Sequence, residues 1–469
     1  LNTCGGTHVP NLAVLQAVRI LGTERIRGGV TRLHYAAGGR LLRRTLDFNP
    51  RESRRLSLGY TLEPDSKTPI LDDIPEEKIS TEARREWESA ARADFGIPIL
   101  NRFFRAALFQ LPAVVSRSGR MDGSIWQYNR EWVRDQAMAA SGLVLSGHHA
   151  VARRMLKRLF GEFVTEGGDT VDSGMTRRPE ESELDQNGIL LHVLGEYAAW
   201  TGDLALIAGI WDRISAVADY PLRPEFRHGP SGMLSGSREF WERHSAHGIG
   251  PGIEMVYQMF VSLGLASAAR LARALGRAPE AARWDEAAAA LREAMLSHPD
   301  YALCDARGFL KRRTIDGSVQ ESVTALPGAG LPAGVPLASD RPHLLNPDTC
   351  CVLPIVFGMI EPGSPVSVAT LASIDSLWNQ EWDSGGYGRY HVSSEPDSPG
   401  AWPFASLFVA RALVEAGDSA GAWRTLRWLA TTDGGSAGSW SGSCISAAWK
   451  RARFNIASSV WIWRRCCAR

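Results

Sequence analysis

From about residue 96 onward, apolar residues recur at intervals of three and four positions, which is the spacing of one face of an α-helix. The segment that contains Leu190, Leu191, Val193, Leu194 and Tyr197 shows this spacing clearly. Stretches rich in Gly and Pro separate the periodic segments. The pattern predicts about twelve helices, near residues 100–113, 131–146, 148–164, 184–201, 204–218, 252–275, 278–296, 348–360, 366–379, 402–416, 419–431 and 453–464.

The predicted helices come in close pairs. Gly202 and Asp203 join one pair, and Gly417 and Asp418 join another. In each case a glycine can end the first helix and an aspartate can cap the next. About twelve paired helices predict a mainly α fold, the (α/α)6 toroid, in which six helical hairpins close into a double ring. An open α-solenoid would give a similar pattern, but no short repeat motif favours it.

Residues 1–75 differ from the rest of the chain. The segments RIRGGVTRLHYAAGG, RLLRRTLDF and RRLSLGYTLEP alternate apolar and polar residues, and they predict strands. This stretch is short for an independent β-sandwich, so we interpret it as the remainder of a larger β domain. We therefore expect a β-rich region at 1–75, a linker helix at 76–97 and the helical toroid at 98–469.

Composition narrows the classes of partner and cofactor. The chain has 52 Lys and Arg against 51 Asp and Glu, a formal net charge of +1 and no basic block, so nucleic acid is not an expected partner. We expect no membrane contact, because no apolar run approaches the length of a membrane span. Seven cysteines without metal-type spacing and without a signal peptide favour a reducing, cytoplasmic location. No metal or organic cofactor is implied.

The loop with the sequence REFWERH, residues 238–244, carries the most suggestive chemistry. Arg238, Glu239, Trp241 and Glu242 follow one another within five positions in a Gly- and Ser-rich segment. An indole beside a carboxylate is typical of sugar sites, because the flat ring covers the apolar face of a pyranose and the acid can protonate a glycosidic oxygen. The alternative interpretation is a solvated loop with a chance ion pair.

Further loops combine aromatic and charged residues in the same way. The adjacent Arg134 and Asp135 can present a donor and an acceptor to neighbouring sugar hydroxyls, although Asp135 would also gain from the dipole of the helix that starts there. Glu183 or Asp185 can equally serve as a helix cap. The candidate substrate-binding residues are Trp126, Tyr128, Trp132, Arg134, Asp135, Asp185, Arg238, Trp241, Arg389, Glu395, Asp397 and Trp402.

Four motifs, in order, resemble glycoside hydrolase family 15, the glucoamylase family, and in particular its bacterial branch with an N-terminal β domain. They are W-V-R-D at 132–135, E-L-D-Q-N-G at 183–188, F-W-E at 240–242 and G-R-Y…W at 388–402, and the likeness covers about residues 98–431. The resemblance implies a six-hairpin glycosidase that inverts the anomeric centre. In such an enzyme one carboxylic acid protonates the leaving oxygen while a second carboxylate activates water.

The resemblance also implies roles for individual residues. Glu242 matches the family's general acid, and Trp241 beside it would help to raise its pKa by desolvation. Arg134 and Asp135 match the pair that holds the terminal glucose. A second set lines the same subsite in the family and matches Arg389 and Trp402, with Glu395 or Asp397 between them. Glu239 is the reserve acid.

The family's catalytic base is the one element that the sequence lacks. That base is a glutamate before the last helix, but no Glu follows Glu415 here, and the only acid past Asp418 is Asp433. Asp433 is a weak candidate for the base, and Glu395 and Asp397 are others. The tail from Ser441 contains no acid and is rich in Cys, Trp and Arg, so we hypothesise that it derives from a shifted reading frame.

The sequence therefore predicts an exo-acting, inverting hydrolase that releases glucose from a short α-glucan or α-glucoside. Three alternatives remain open. The first is a carbohydrate-binding relative that lacks the catalytic base. The second is a sugar phosphorylase or lyase on the same toroid, and the third is a helical scaffold that binds a protein.

Overall fold

A computed structural model of the chain describes residues 19–25, 31–37, 42–48, 88, 90–121, 131–171, 179–241, 243–324, 342–378, 385–391 and 401–432. The chain packs as two compact units, one formed by residues 1–92 and 106–155 and the other by residues 93–105 and 156–469. The predicted boundary at residue 75 and most of the predicted linker helix lie outside the described residues, and the domain boundaries stay a prediction.

The first unit contains a three-stranded antiparallel sheet. Its strands are β1 (Arg19–Arg25), β2 (Thr31–Ala37) and β3 (Leu42–Phe48), and β2 lies between the other two. Leu33 of β2 pairs with Thr23 on one side and with Leu46 on the other. Strands β2 and β3 fall within two of the predicted segments, whereas the third predicted segment lies outside the described residues.

Helices dominate the rest of the described chain. They are α1 (Pro98–Ala113), α2 (Val133–Leu145), α3 (His149–Glu162), α4 (Leu184–Thr201), α5 (Leu204–Gly209), α6 (Trp211–Asp219), α7 (Met255–Ala274), α8 (Ala278–Ser297), α9 (Leu353–Val356), α10 (Pro365–Ile374), α11 (Pro403–Glu415) and α12 (Ser419–Thr432). The predicted pairing is present: Gly202 ends α4 in the left-handed conformation, and the Asp203 side chain caps α5 by accepting from Leu206 N.

Two predicted helices differ from the structure. The segment predicted at 204–218 is divided into α5 and α6, because Ile210 leaves the helical region at φ −119° and ψ 19°. The segment predicted at 348–360 forms a 3₁₀ turn at Thr349–Val352 followed by the short α9. Asp348 starts that turn by accepting a hydrogen bond from Cys350 N. The helix predicted near 453–464 lies outside the described residues.

Helices α4 and α7 pack closely because glycines remove the side chains between them. A Cβ atom on Gly188 would lie 2.2 Å from the carbonyl carbon and oxygen of Phe260. Gly264 lies as close, since its added Cβ would be 2.4 Å from the carbonyl oxygen of Gly188. Helix α7 also packs along α8, and α11 packs against α12. The close approach of α4 and α7 fixes the position of the loops that precede both helices.

Helix α7 has the length and apolar composition of a membrane-spanning helix. Of its most apolar stretch of 18 residues, 83% is buried inside the protein, and the helix packs against α4 and α8. The same apolar residues therefore serve as the core between neighbouring helices.

The long segment between α8 and α9 contains short antiparallel strands that the sequence pattern does not predict. They are β5 (Cys304–Asp305), β6 (Gly308–Phe309), β7 (Arg312–Thr314), β8 (Ser322–Val323) and β9 (His343–Leu344). Strand β7 pairs with β4 (Gly252–Glu254), which leads directly into α7. This pairing brings Lys311 and Arg312 beneath the loop that precedes α7.

We expect Gly188→Ala to destabilise the protein, because its methyl group would overlap the α7 backbone, which cannot move as a flexible side chain can. Overpacking of this kind costs at least about 1–3 kcal/mol in free energy of unfolding. Chemical denaturation followed by circular dichroism would measure it. Gly161→Ala is the matched control, since Gly161 is a helical glycine with nothing within 4 Å of an added Cβ. Equal stability of the two variants would contradict the close α4–α7 packing.

Candidate functional site

The predicted site residues fall into three groups in the structure. Glu242, Trp126, Tyr128, Glu395, Asp397 and Asp433 lie outside the described residues. Trp132, Arg134 and Asp135 belong to the first unit. The second unit contains Asp185, Arg238, Glu239, Trp241, Arg389 and Trp402.

In the first unit, Trp132 occupies the cap position of α2 with extended backbone angles. Arg134 is buried, whereas Asp135 is exposed in the first turn of the helix. An acid at this position is favoured by the helix dipole, as the alternative interpretation supposed. Arg134 and Asp135 therefore both lie at the start of a helix, but only Arg134 is buried.

In the second unit, residues 236–252 form a loop whose two ends are held together. Gly236 and Gly252 exchange two backbone hydrogen bonds of 3.0 Å. The Arg312 guanidinium donates to the carbonyl oxygens of Gly236 at 2.6 Å, Gly250 at 2.7 Å and Arg238 at 3.0 Å. A planar guanidinium with five donors is suited to bind several carbonyl groups at once. Arg312 thus closes the loop that carries Trp241 and Glu242 in its sequence.

Beneath this loop lies a charged cluster whose side chains have no exposed surface, formed by Glu239, Glu254, Lys311, Arg312 and Asp348. The Lys311 ammonium lies 2.6 Å from Glu239 Oε2, 2.7 Å from Asp348 Oδ2 and 3.9 Å from Glu254 Oε1. Arg312 Nη1 lies 3.4 Å from Glu254 Oε2. Buried charges require such pairing, because an isolated ion loses its hydration without compensation.

The cluster shifts the pKa values of its members in opposite directions. Burial alone would raise the pKa of Glu239, but Lys311 and Arg243 lower it to about 2. Burial raises the pKa of Glu254 to about 7, against the opposing effect of Lys311 and Arg312. Burial would lower the pKa of Lys311, yet Asp348 and Glu239 hold it well above its usual value. Glu239 is therefore ionised at neutral pH and has no proton to donate there.

Three of the predicted residues form an aromatic and guanidinium assembly. The Arg389 guanidinium carbon lies 4.1 Å from the ring centre of Trp402 and 5.3 Å from that of Trp241. It also lies 4.6 Å from the ring of Tyr390, on whose face Arg243 lies at 4.2 Å. The guanidinium is attracted to the faces of these rings by cation–π interaction, and its Nη2 also donates to Tyr390 Oη at 2.5 Å. Residues from two distant loops thus meet at one place.

Glu183 and Arg238 connect the start of α4 to the same loop. The Glu183 side chain makes no capping hydrogen bond at the start of α4. Its Oε1 lies 2.7 Å from Arg238 Nη2. Asp185, in the first turn of that helix, is completely buried. The capping interpretation therefore does not describe Glu183, whose carboxylate instead holds Arg238.

Sequence reasoning missed Lys311, Arg312, Glu254 and Asp348, which support the loop from below. They come from three separate short segments, and none of them belongs to a motif. The only local signal was the pair of adjacent cations, Lys311 and Arg312, beside apolar residues. Within the described ranges, no group of three or more His, Cys, Asp or Glu residues could hold a metal ion.

Comparisons with known proteins divide the chain into two parts. Residues 1–34 match the family described as the threonyl and alanyl tRNA synthetase second additional domain. The alanine–tRNA ligase of Thermococcus kodakarensis is 33% identical over 95 residues, which is 20% of this chain and 9% of that protein. The chain therefore spans less than a tenth of that relative. The glucoamylase resemblance implies the N-terminal β domain of that family, whereas residues 1–34 are similar to a tRNA synthetase domain.

Other comparisons find similarity to glycosidases. Trehalase 1 of Sulfolobus acidocaldarius is 25% identical over 143 residues, about a quarter of each chain. A solved structure described as a wild-type glycosidase has a TM-score of 0.51 and 21% identity, covering 72% of this chain and 85% of its own. A bacterial glucoamylase complexed with acarbose has a TM-score of 0.53 and 15% identity, covering 74% and 51%. The mainly α, α/α toroid fold predicted from the sequence is thereby confirmed.

The pKa of Glu254 gives a testable pH dependence. Because its folded pKa of about 7 lies above the ordinary value of 4.5, the folded state takes up a proton between these pH values, and stability falls as pH rises through this window. The Glu254→Gln variant cannot take up this proton, so its stability lacks this pH dependence. We expect the stability of the variant relative to the parent to increase from pH 4.5 to 7, by at most about 1.4 kcal/mol per pH unit. A pH-independent difference in urea denaturation would contradict the assignment.

Proposed function

We propose that the chain is a glycoside hydrolase on the α/α toroid fold that releases glucose from α-glucosidic substrates with inversion at the anomeric carbon. The observation that carries the proposal is the assembly of Trp241, Arg389 and Trp402, with the guanidinium 5.3 Å and 4.1 Å from the two rings. Indole faces bind the apolar face of a pyranose, and guanidinium donors bind its hydroxyl groups. The similarity to a trehalase and to a glucoamylase fold supports the same substrate class.

In this proposal Glu242 is the general acid. It follows Trp241 directly in the sequence, within the loop that Arg312 closes. Glu239, the reserve candidate, is ion-paired with Lys311 at 2.6 Å and has a pKa of about 2, which suits a structural anion. A proton donor must instead hold its proton at the working pH. Glu239 is thus the poorer proton donor, and this favours Glu242 as the general acid.

Binding of the terminal glucose is also proposed for the remaining predicted residues, Trp126, Tyr128, Trp132, Arg134, Asp135, Asp185, Arg238, Glu395 and Asp397. An inverting enzyme also needs a carboxylate about 6.5–9.5 Å from the acid to activate water. Asp433, Glu395 and Asp397 are the proposed candidates for this base. The substrates that we propose are short α-glucans or the disaccharide trehalose.

A second candidate function is sugar binding without hydrolysis. The observation that favours it is the absence of any glutamate after Glu415, where the resemblance implies the catalytic base. Hydrolysis and sugar binding both need the sugar pocket, but only hydrolysis needs a catalytic base. Incubation with trehalose, maltose, isomaltose and maltotriose, followed by NMR of the anomeric protons, separates them. Early β-glucose from an α-linked substrate supports inverting hydrolysis, whereas acarbose binding without glucose release supports the binding function.

We expect Glu242→Gln to lower glucose release by at least about 100-fold, the usual contribution of general acid catalysis. The amide has no acidic proton but nearly the same shape, so acarbose binding measured by calorimetry should change little. Glu225→Gln, at an exposed glutamate in the same unit, is the control and should keep full turnover. Unchanged turnover in the Glu242 variant would remove this residue from the mechanism.

A further inference from the structure

The indole of Trp241 is held by a buried carboxylate. Its Nε1 donates to Asp348 Oδ1 at 2.8 Å and lies 3.1 Å from Oδ2. The Trp241 side chain is half-buried, whereas Asp348 has no exposed surface. A charged acceptor on the indole N–H restrains the rotation of the whole ring. The hydrogen bond between the indole N–H and Asp348 therefore sets the orientation of the Trp241 ring.

Asp348 is itself fixed by two other groups. Lys311 Nζ donates to its Oδ2 at 2.7 Å, and Cys350 N donates to its Oδ1 at 2.8 Å. Lys311 also lies 2.6 Å from Glu239, whose Oε1 accepts from Arg243 N at 2.8 Å. One ammonium group thus contacts both Glu239, two residues before Trp241, and the carboxylate that binds the Trp241 indole.

The residue next to Asp348 holds the opposite side of the assembly. Thr349 donates to the carbonyl oxygen of Arg389 through its backbone N at 3.0 Å and its Oγ1 at 2.6 Å. Asp348 also forms a β-bridge with Tyr390. The two consecutive residues Asp348 and Thr349 therefore bind Trp241 on one side and the Arg389 backbone on the other. Their covalent link holds the Arg389 backbone close to the Trp241 indole, and the Arg389 guanidinium lies 5.3 Å from the indole ring.

We propose that Asp348, supported by Lys311, is a positioning residue that orients the Trp241 indole for sugar binding. This inference rests on the proposed function, since it assigns Trp241 to a sugar. Asp348 does not touch the sugar in this account. It acts through the indole N–H, so its effect on binding should disappear when that N–H is absent.

A double-mutant cycle tests this dependence. We expect Asp348→Ala to weaken acarbose binding by about tenfold, the size of one lost charge-assisted hydrogen bond. In the Trp241→Phe background, the same substitution should change the dissociation constant by less than about twofold, because phenylalanine has no N–H to hold. An equal loss in both backgrounds would overturn the proposal.

A spectroscopic readout follows the indole without any ligand. In protein labelled with 5-fluorotryptophan, the ¹⁹F signal of Trp241 is identified by its loss in Trp241→Phe. Asp348→Ala should shift or broaden this signal, and an unchanged signal would overturn the proposal. This readout also separates two failures: a perturbed Trp241 signal in a protein that does not bind acarbose would reject the proposed function and leave the positioning role supported.

The chain supplies a matched control in a second tryptophan–aspartate pair. Trp284 Nε1 donates to Asp219 Oδ1 at 2.8 Å, and Asp219 is also ion-paired, with Arg283. Asp219→Ala should alter the ¹⁹F signal of Trp284 and leave acarbose binding unchanged. A loss of binding equal to that of Asp348→Ala would show a general stability effect and contradict the positioning role.

If Asp348→Ala does not fold, Asp348→Asn provides the test. Asparagine keeps one acceptor oxygen and the ability to cap the following turn, but it removes the charge that Lys311 faces. The Trp241 signal and the acarbose affinity should change in the same direction by a smaller amount. An Asp348→Asn protein with the parent's signal and affinity would overturn the proposal.

Discussion

The ammonium group of Lys311 has no contact with solvent, and the arrangement of the loop above it follows from that constraint. Moving an ion of this size from water into a dry interior costs about 20 kcal/mol in the idealised limit. The cost can be offset only if carboxylates approach closely, as Glu239 and Asp348 do at 2.6 Å and 2.7 Å. These two acids come from segments far apart in the sequence. The requirement to pair one buried cation therefore joins both segments at a single point.

Arg312, the next residue, has a different task. Its guanidinium binds carbonyl oxygens at the beginning and the end of the 236–252 loop, as well as Glu254. Lys311 thus fixes side chains inside the loop, while Arg312 fixes the backbone at its ends. The loop buries the apolar side chains of Phe240 and Ile249, and the charges beneath it add to that packing. Fixed charges beneath the loop supply the rigidity that a binding site requires.

The sequence predicted the helices well because their apolar periodicity is a local property that each segment carries by itself. It also predicted Arg238, Trp241, Arg389 and Trp402 as candidates, since aromatic and charged residues were concentrated in glycine-rich loops. Lys311 and Asp348 could not be found in this way. They pair with side chains 37 or more positions away in the sequence, so no local pattern reveals either contact. Glu183 was ambiguous for the same reason, because its partner Arg238 comes from another loop.

The charge balance of the cluster bears on the acid chemistry proposed for the loop above it. Lys311 and Arg312 offset Glu239 and Asp348, and Glu254 carries a proton below its pKa of about 7. The cluster is then close to neutral. A surplus of positive charge beneath the loop would lower the pKa of a nearby carboxylic acid and so favour loss of its proton. A balanced cluster avoids that penalty while it retains the ionic contacts that fix Trp241. Rigid positioning and a protonated acid are thus compatible in one loop, because the cations that hold the loop are matched by buried carboxylates.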